Sequence, residues 1–300
     1  MNYDILVYGP LFCDLIFTSL PGMPELGREV FAGDMTVAVG GSAIVAAALH
    51  RLGVRVGLIA DLGSDPLSQV VRALLDELGL DQTLIRSHTY PLPQVTAALS
   101  FPHDRAFVTR FQRPEQPRDI AALLASHSAR HMHVCGFLAL EETPDIVDLA
   151  HDAGMTVSLD LGWDDHALRQ PALRDMLALL DIFMPSKCEL CAVMGTDDAE
   201  EALSRAAVMM PGGIVVMKDG SRGAIARQRE VREQVQALLV KAVDTTGAGD
   251  SFDAGFLYAY INNLPLGECM RYGNICGGLA TTAAGGAVAA PTFEEMRKWL

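Results

Sequence analysis

Along the chain, short apolar runs alternate with longer stretches in which apolar residues recur every three to four positions. Segments 4–8, 54–60, 131–135, 156–160, 182–184 and 214–218 are β-rich and read as buried strands. Segments 42–52, 66–78, 117–125, 143–153, 171–179, 199–209 and 251–262 carry a helical period. In 68–78, Val70, Val71, Leu74, Leu75 and Leu78 fall on one face. Strand then helix, repeated, predicts an α/β three-layer sandwich: a mostly parallel central sheet with helices on both faces.

Two segments break the rhythm. Segment 11–39 contains Pro21, Gly22, Pro24 and Gly27 ahead of a strand-like run. Segment 89–113 holds two strand-like pieces, 95–101 and 106–111, around Pro102-His103-Asp104, which is a hairpin signal. Together they predict a small β-sheet inserted into a single domain spanning 1–300, placed as a lid over a ligand. No internal repeat, low-complexity tract or interdomain linker interrupts the chain.

Composition narrows the function classes. A formal net charge of -14 argues against nucleic acid or an anionic membrane as the main partner. It leaves room for a nucleotide, since backbone N–H groups and one or two cations can hold phosphates on an acidic protein. The N-terminal run 5–8 lacks a basic leader, and the apolar stretch 277–290 is short and broken by Gly and Thr, so no membrane span is expected. The six cysteines show no disulfide framework; Cys188 and Cys191 form a lone CxxC that reads as two small residues one helical turn apart. A cytoplasmic, reduced enzyme is the expectation.

The most informative stretch is Asp244-Thr245-Thr246-Gly247-Ala248-Gly249-Asp250-Ser251-Phe252. A short strand is predicted at 240–243 and a helix directly after. Gly247 and Gly249 permit a tight turn and close approach of a ligand to the backbone. The N–H groups of Gly247, Ala248 and Gly249 then lie at the positive end of a helix, where an anion is stabilised. Asp250 stands at the same place. A carboxylate beside an anion hole is costly unless it has a task, and removing a proton from an attacking hydroxyl is one. Spacing alone gives an anion site with a carboxylate. It does not complete GxGxxG, which counts against a dehydrogenase, and it is not a Walker A loop.

The stretch DTTGAGDSFDAGF resembles the C-terminal signature of the ribokinase, or phosphofructokinase-B, family of carbohydrate kinases. The resemblance implies ATP and Mg2+ as cofactors, Asp250 as catalytic base, and Gly247, Ala248 and Gly249 as the anion hole. Asp244 and Thr245 would border the phosphate and a K+ site. It extends along the chain in the family's order. Gly9-Pro10-Leu11-Phe12-Cys13-Asp14 resembles the first strand and its substrate-binding aspartate, and Gly40-Gly41 the paired glycines that flex as the lid closes. Pro185-Ser186-Lys187-Cys188-Glu189 resembles Asn-x-x-Glu, with Ser186 replacing asparagine and Glu189 organising magnesium. Lys218-Asp219-Gly220-Ser221-Arg222-Gly223 resembles the turn lining the nucleotide, with Gly220 and Gly223 allowing close approach. Asn274 would lie beside adenine.

One departure bears on the acceptor. Relatives carry an asparagine after the paired glycines that holds a sugar hydroxyl; here Ile44 or Val45 falls at that place. A sugar or sugar-like acceptor is implied, with a nucleoside as the alternative within kinases and a non-catalytic sugar- or nucleotide-binding relative outside them. Asp160 is expected to end a strand facing the site, and Asp164, Asp165 and His166 to begin a solvated helix. Arg105, Arg110 and Arg113 lie on the lid segment, either as a solvated edge or as a grip on an acidic group. Pairing of two lids in a homodimer is a further expectation.

Overall fold

A computed structural model describes residues 2–101, 105–283 and 285–300. The turn expected at Pro102-His103-Asp104 lies outside them. The chain opens with β1 (Ile5–Tyr8), β2 (Leu11–Thr18) and β3 (Asp34–Gly41), then helix α1 (Ser42–Arg51). Next come β4 (Val56–Leu62), α2 (Pro66–Glu77), β5 (Ile85–Ser87), β6 (Val95–Ser100) and β7 (Arg105–Arg110). The middle holds α3 (Ile120–Ser126), β8 (His131–Cys135), α4 (Gly136–Glu142), α5 (Ile146–Asp152), β9 (Thr156–Asp160) and α6 (Pro171–Leu177). It continues with β10 (Ile182–Phe183), α7 (Lys187–Met194), α8 (Ala199–Met209) and β11 (Ile214–Lys218). The hairpin β12 (Ala224–Gln228) and β13 (Val231–Val235) precedes α9 (Ala248–Ile261), α10 (Leu266–Ala280) and α11 (Phe293–Arg297).

The larger sheet runs β13-β12-β11-β10-β9-β8-β1-β4-β5 and is parallel except at β12 and β13. Alternation along β1 explains its two covered faces. Ile5 and Val7 enter one core with α1, α9 and α10; Leu6 and Tyr8 enter the other with α3, α5, α7 and α8. Strand order departs from β1 in both directions, toward β4 on one side and β8 on the other. That is a topological switch point, and ligands of open α/β sheets bind outside the carboxyl ends of the strands at such a point. There the chain needs Gly9: a Cβ would come within 2.7 Å of the Cys135 carbonyl oxygen.

The smaller sheet has the order β3-β2-β6-β7. It comes from the two segments that broke the sequence rhythm, and β2 joins their halves, antiparallel to β3 and parallel to β6. β3 runs into α1 through Gly41, whose φ of 62° combined with ψ of -139° lies in a region open essentially to glycine alone.

Several expectations are corrected. Segment 240–243 is not a strand: Val243 is exposed, and its N–H donates to the Thr281 carbonyl at 2.7 Å, tying it to the end of α10 rather than to a sheet neighbour. Val70 is exposed, while Val71 and Leu75 carry the buried face of α2. Asp164, Asp165 and His166 begin no α-helix: Asp164 accepts from the N–H groups of His166 and Ala167 ahead of a single 3-10 turn, Ala167–Arg169. As expected, Cys188 and Cys191 lie one turn apart on α7, as free thiols. No helix of the described residues is long and apolar enough to cross a membrane.

Asp65 anchors the start of α2. Its carboxylate accepts from the Ser68 N–H (3.0 Å), the Ser68 hydroxyl (2.8 Å) and the distant Leu92 N–H (2.9 Å). Asp65→Ala removes a helix cap and a loop tie together, and is expected to cost about 1–2 kcal/mol in urea unfolding. An unchanged midpoint would contradict that role.

Candidate active site

The loop before α9 is shaped from within. Asp244 is buried, and its Oδ1 accepts from the N–H (2.9 Å) and hydroxyl (2.8 Å) of Thr246. Gly247 then turns the chain into α9 with φ of 72°. A Cβ there would meet the Ile44 Cγ2 and Gly286 Cα at 2.9 Å each. Ile44 therefore packs against the glycine loop itself. The first-turn amides of a helix have no intrahelical acceptor, so Gly249 keeps a donor available. Ala248 is a weaker candidate, because its N–H is drawn to the Thr245 carbonyl at 3.3 Å. Thr245 itself is exposed.

Around this loop the strand ends and α9 gather charge. Lys218, at the end of β11, donates to both carboxylate oxygens of Asp253 (3.1 and 2.9 Å) and pairs with Asp160 Oδ2 at 3.0 Å, at the end of β9. Asp253 follows Asp250 by three residues on α9, so the two carboxylates share a face. Burial pushes the Asp250 carboxyl up to about 6; the Asp160 charge adds to this and the Lys218 ammonium opposes it. Burial also pulls the Lys218 ammonium down, but Asp160 and Asp253 overcome it and hold the proton on. Asp253 is raised by burial and by Asp160.

Two further carboxylates face this cluster. Glu189 is buried in the first turn of α7, where it forms a capping box with Ser186: its Oε2 accepts from the Ser186 N–H at 2.7 Å. Burial and the nearby Asp160 raise its pKa. Asp14, on β2, is pushed up to about 7 by burial and then by the charge of Asp250, close enough for its charge to be felt. Gly40 makes room for Asp14; any Cβ there would overlap its carboxylate. From the small sheet, Arg105 donates to the Thr246 hydroxyl at 2.9 Å, joining β7 to the glycine loop. Arg110 and Arg113 point elsewhere, toward Phe111 and Glu141.

Asp14, Gly40, Asp250, Glu189, Lys218 and the Gly247 loop thus converge. Gly220 and Gly223 have positive φ (53° and 92°), and a Cβ on Gly223 would strike the Val235 backbone, so that glycine is required by hairpin packing. Asn274 is half-buried on α10. Asp253 escapes the sequence reading. The signal that could have found it is its three-residue spacing from Asp250 in an otherwise apolar helix, where a charge needs a buried partner.

A family model, pfkB family carbohydrate kinase, matches residues 4–292. The chain belongs to that family. It is an enzyme of the carbohydrate-kinase class, a sugar or nucleoside kinase. It is 25% identical to the ribokinase of Haemophilus influenzae over 100% of this chain and 99% of that protein. It is 28% identical to the nucleoside kinase of Methanothermobacter thermautotrophicus over 90% of this chain and 86% of that protein. Among solved structures, Arabidopsis thaliana ribokinase, complexed with ribose and ATP, superposes with a TM-score of 0.84 at 22% identity, covering 100% and 99% of the two chains. The ribokinase-like fold expected from the sequence is the one present.

A carboxyl whose folded pKa is about 6, against 3.8 in the unfolded chain, lowers stability at neutral pH. Its stabilising contribution is complete below about 4 and lost as pH rises through 6. Asp250→Asn is therefore expected to melt at a higher temperature than the parent at pH 8, with the gap narrowing toward pH 4. A pH-independent gap in calorimetric scans would contradict burial of the Asp250 charge as its cause.

Proposed function

We propose that the protein transfers the γ-phosphate of ATP to a hydroxyl of a sugar or sugar-like acceptor, with Asp250 as the base. The observation that carries this reading is the placement of Asp250 in the open first turn of α9, directly after the glycine loop and next to Gly249, which packs on the Lys218 ammonium. The acceptor oxygen attacks phosphorus, the bond to the ADP oxygen breaks, and the acceptor proton passes to Asp250. Asp14 would accept hydrogen bonds from acceptor hydroxyls. Gly247 and Gly249 would face the phosphate charge.

Magnesium fits the donor set. Glu189 is a buried carboxylate whose pKa is raised by burial and then by the nearby Asp160 charge, and it would organise the ion through its waters. The ion would neutralise phosphate charge during transfer. The small sheet is proposed as a lid within one domain of 1–300, inserted at 11–39 and 89–113, with the Arg105–Thr246 bond as its contact to the glycine loop. Its outer residues Phe31, Met35, Phe107 and Val108 are exposed, which supports pairing of two lids. Sedimentation at micromolar concentration should give a dimer; a monomer would remove that idea.

A nucleoside acceptor is the second reading, favoured by Ile44. An aliphatic side chain packed on Gly247 stands where an amide would hold a sugar hydroxyl, and it suits a less hydroxylated acceptor. ADP release should be measured with ATP and magnesium against sugars, sugar acids and nucleosides. Acceptor-dependent turnover is expected, and Asp250→Asn should lower kcat on the order of 10²–10⁴-fold. Full turnover in that variant would overturn the assignment.

A further inference from the structure

Lys218 does more than line a turn. Its side chain is 12% exposed, and Asp253, which it grips, is 0% exposed. Lys218 reaches the first turn of α9: a Cβ built on Gly249 would lie 3.6 Å from its Nζ. The ammonium therefore rests against the glycine loop, one residue from Asp250. Asp160 holds it from β9 and Asp253 from α9, with Glu189 acting on it from α7.

We infer that Lys218 is the fixed cation of the transfer site, its ammonium clamped by Asp160 and Asp253 so that it contacts the phosphoryl group being transferred. This rests on the kinase reading above and assigns that site a residue role. Charge builds on the transferring group and on the oxygen leaving with ADP, and a cation already in place stabilises it without reorganisation. The clamp removes the freedom that makes an ordinary lysine an expensive ligand to order. Lys218 exchanges no proton in this step: the acceptor proton goes to Asp250, the new oxygen–phosphorus bond forms at the acceptor, and the electron pair of the broken bond leaves with ADP. The two carboxylates keep the ammonium charged throughout.

The test combines binding and turnover. Calorimetry with ATP and with ADP, each with magnesium, is run on the parent, Lys218→Ala and Lys218→Arg. Lys218→Met combined with Asp160→Asn and Asp253→Asn removes the ammonium together with both carboxylates that clamp it, and should show the same selective loss of ATP over ADP as Lys218→Ala. Lys218→Ala should bind ATP about tenfold more weakly and ADP unchanged, a loss of roughly 1.4 kcal/mol carried by the γ-phosphate. Its turnover should fall on the order of 10²–10³-fold. Added methylammonium should restore turnover saturably, and acetamide should not; Lys218→Arg should retain part of the activity. Equal weakening of ATP and ADP would overturn the inference. So would undiminished turnover in Lys218→Ala while Asp250→Asn is inactive, an outcome that leaves the kinase reading standing. A parent that binds ATP but turns over no acceptor counts against that reading, and the difference between ATP and ADP then decides the role of Lys218 alone.

Discussion

The ammonium of Lys218, held between Asp160 and Asp253, ties together three elements that the sequence places far apart: the ends of β9 and β11 and the second turn of α9. Without it, the buried Asp253 and the nearby Asp160 would be left unpaired beneath α9, which is costly. With it, the first turn of that helix is fixed against the sheet. The same cation then offsets part of the burial that keeps the Asp250 carboxyl high. Structure and electrostatics at this place are one arrangement.

The rest of the site hangs on close approach. Gly40 leaves space for Asp14, Gly9 lets the chain leaving β1 lie close against the end of β8, and Gly247 brings its loop down onto Ile44. Each is a position where a methyl group would push apart elements that must meet. The small sheet reaches the same loop through Arg105 and Thr246. A polar row, His131, Ser158 and His133, runs between β8 and β9 behind the site, bonded at 2.7 Å along its length. Burial keeps both imidazoles neutral, His131 with its pKa lowered to about 3.

Much of this is legible in the sequence because burial leaves a period. The parallel strands, the helices between them and the inserted small sheet all follow from apolar spacing, and the glycine loop announces itself by its carboxylate. What escapes is what periodicity cannot carry. The hairpin β12–β13 turns through Arg229 at φ of 53° and Glu230, with none of the usual turn residues. The segment 240–243 has strand-like composition, but its Val243 N–H goes to the Thr281 carbonyl after α10 and not to a strand. Spacing turns Ile44 toward the acceptor, and the structure brings it against Gly247. The partnership of Lys218 with Asp253 is a contact across sequence that no local pattern records.

The measurement that most directly tests the account is the pH dependence of kcat/KM for a turned-over acceptor, which reports the free enzyme's essential groups. A base crowded by burial and by Asp160 must lose its proton before it can accept another. The rate should therefore rise with pH through about 6, well above an ordinary carboxyl. A profile flat from about pH 5 to 8, with its fall near an ordinary carboxyl's ~4, would show that Asp250 either is not the base or is not held in the environment described.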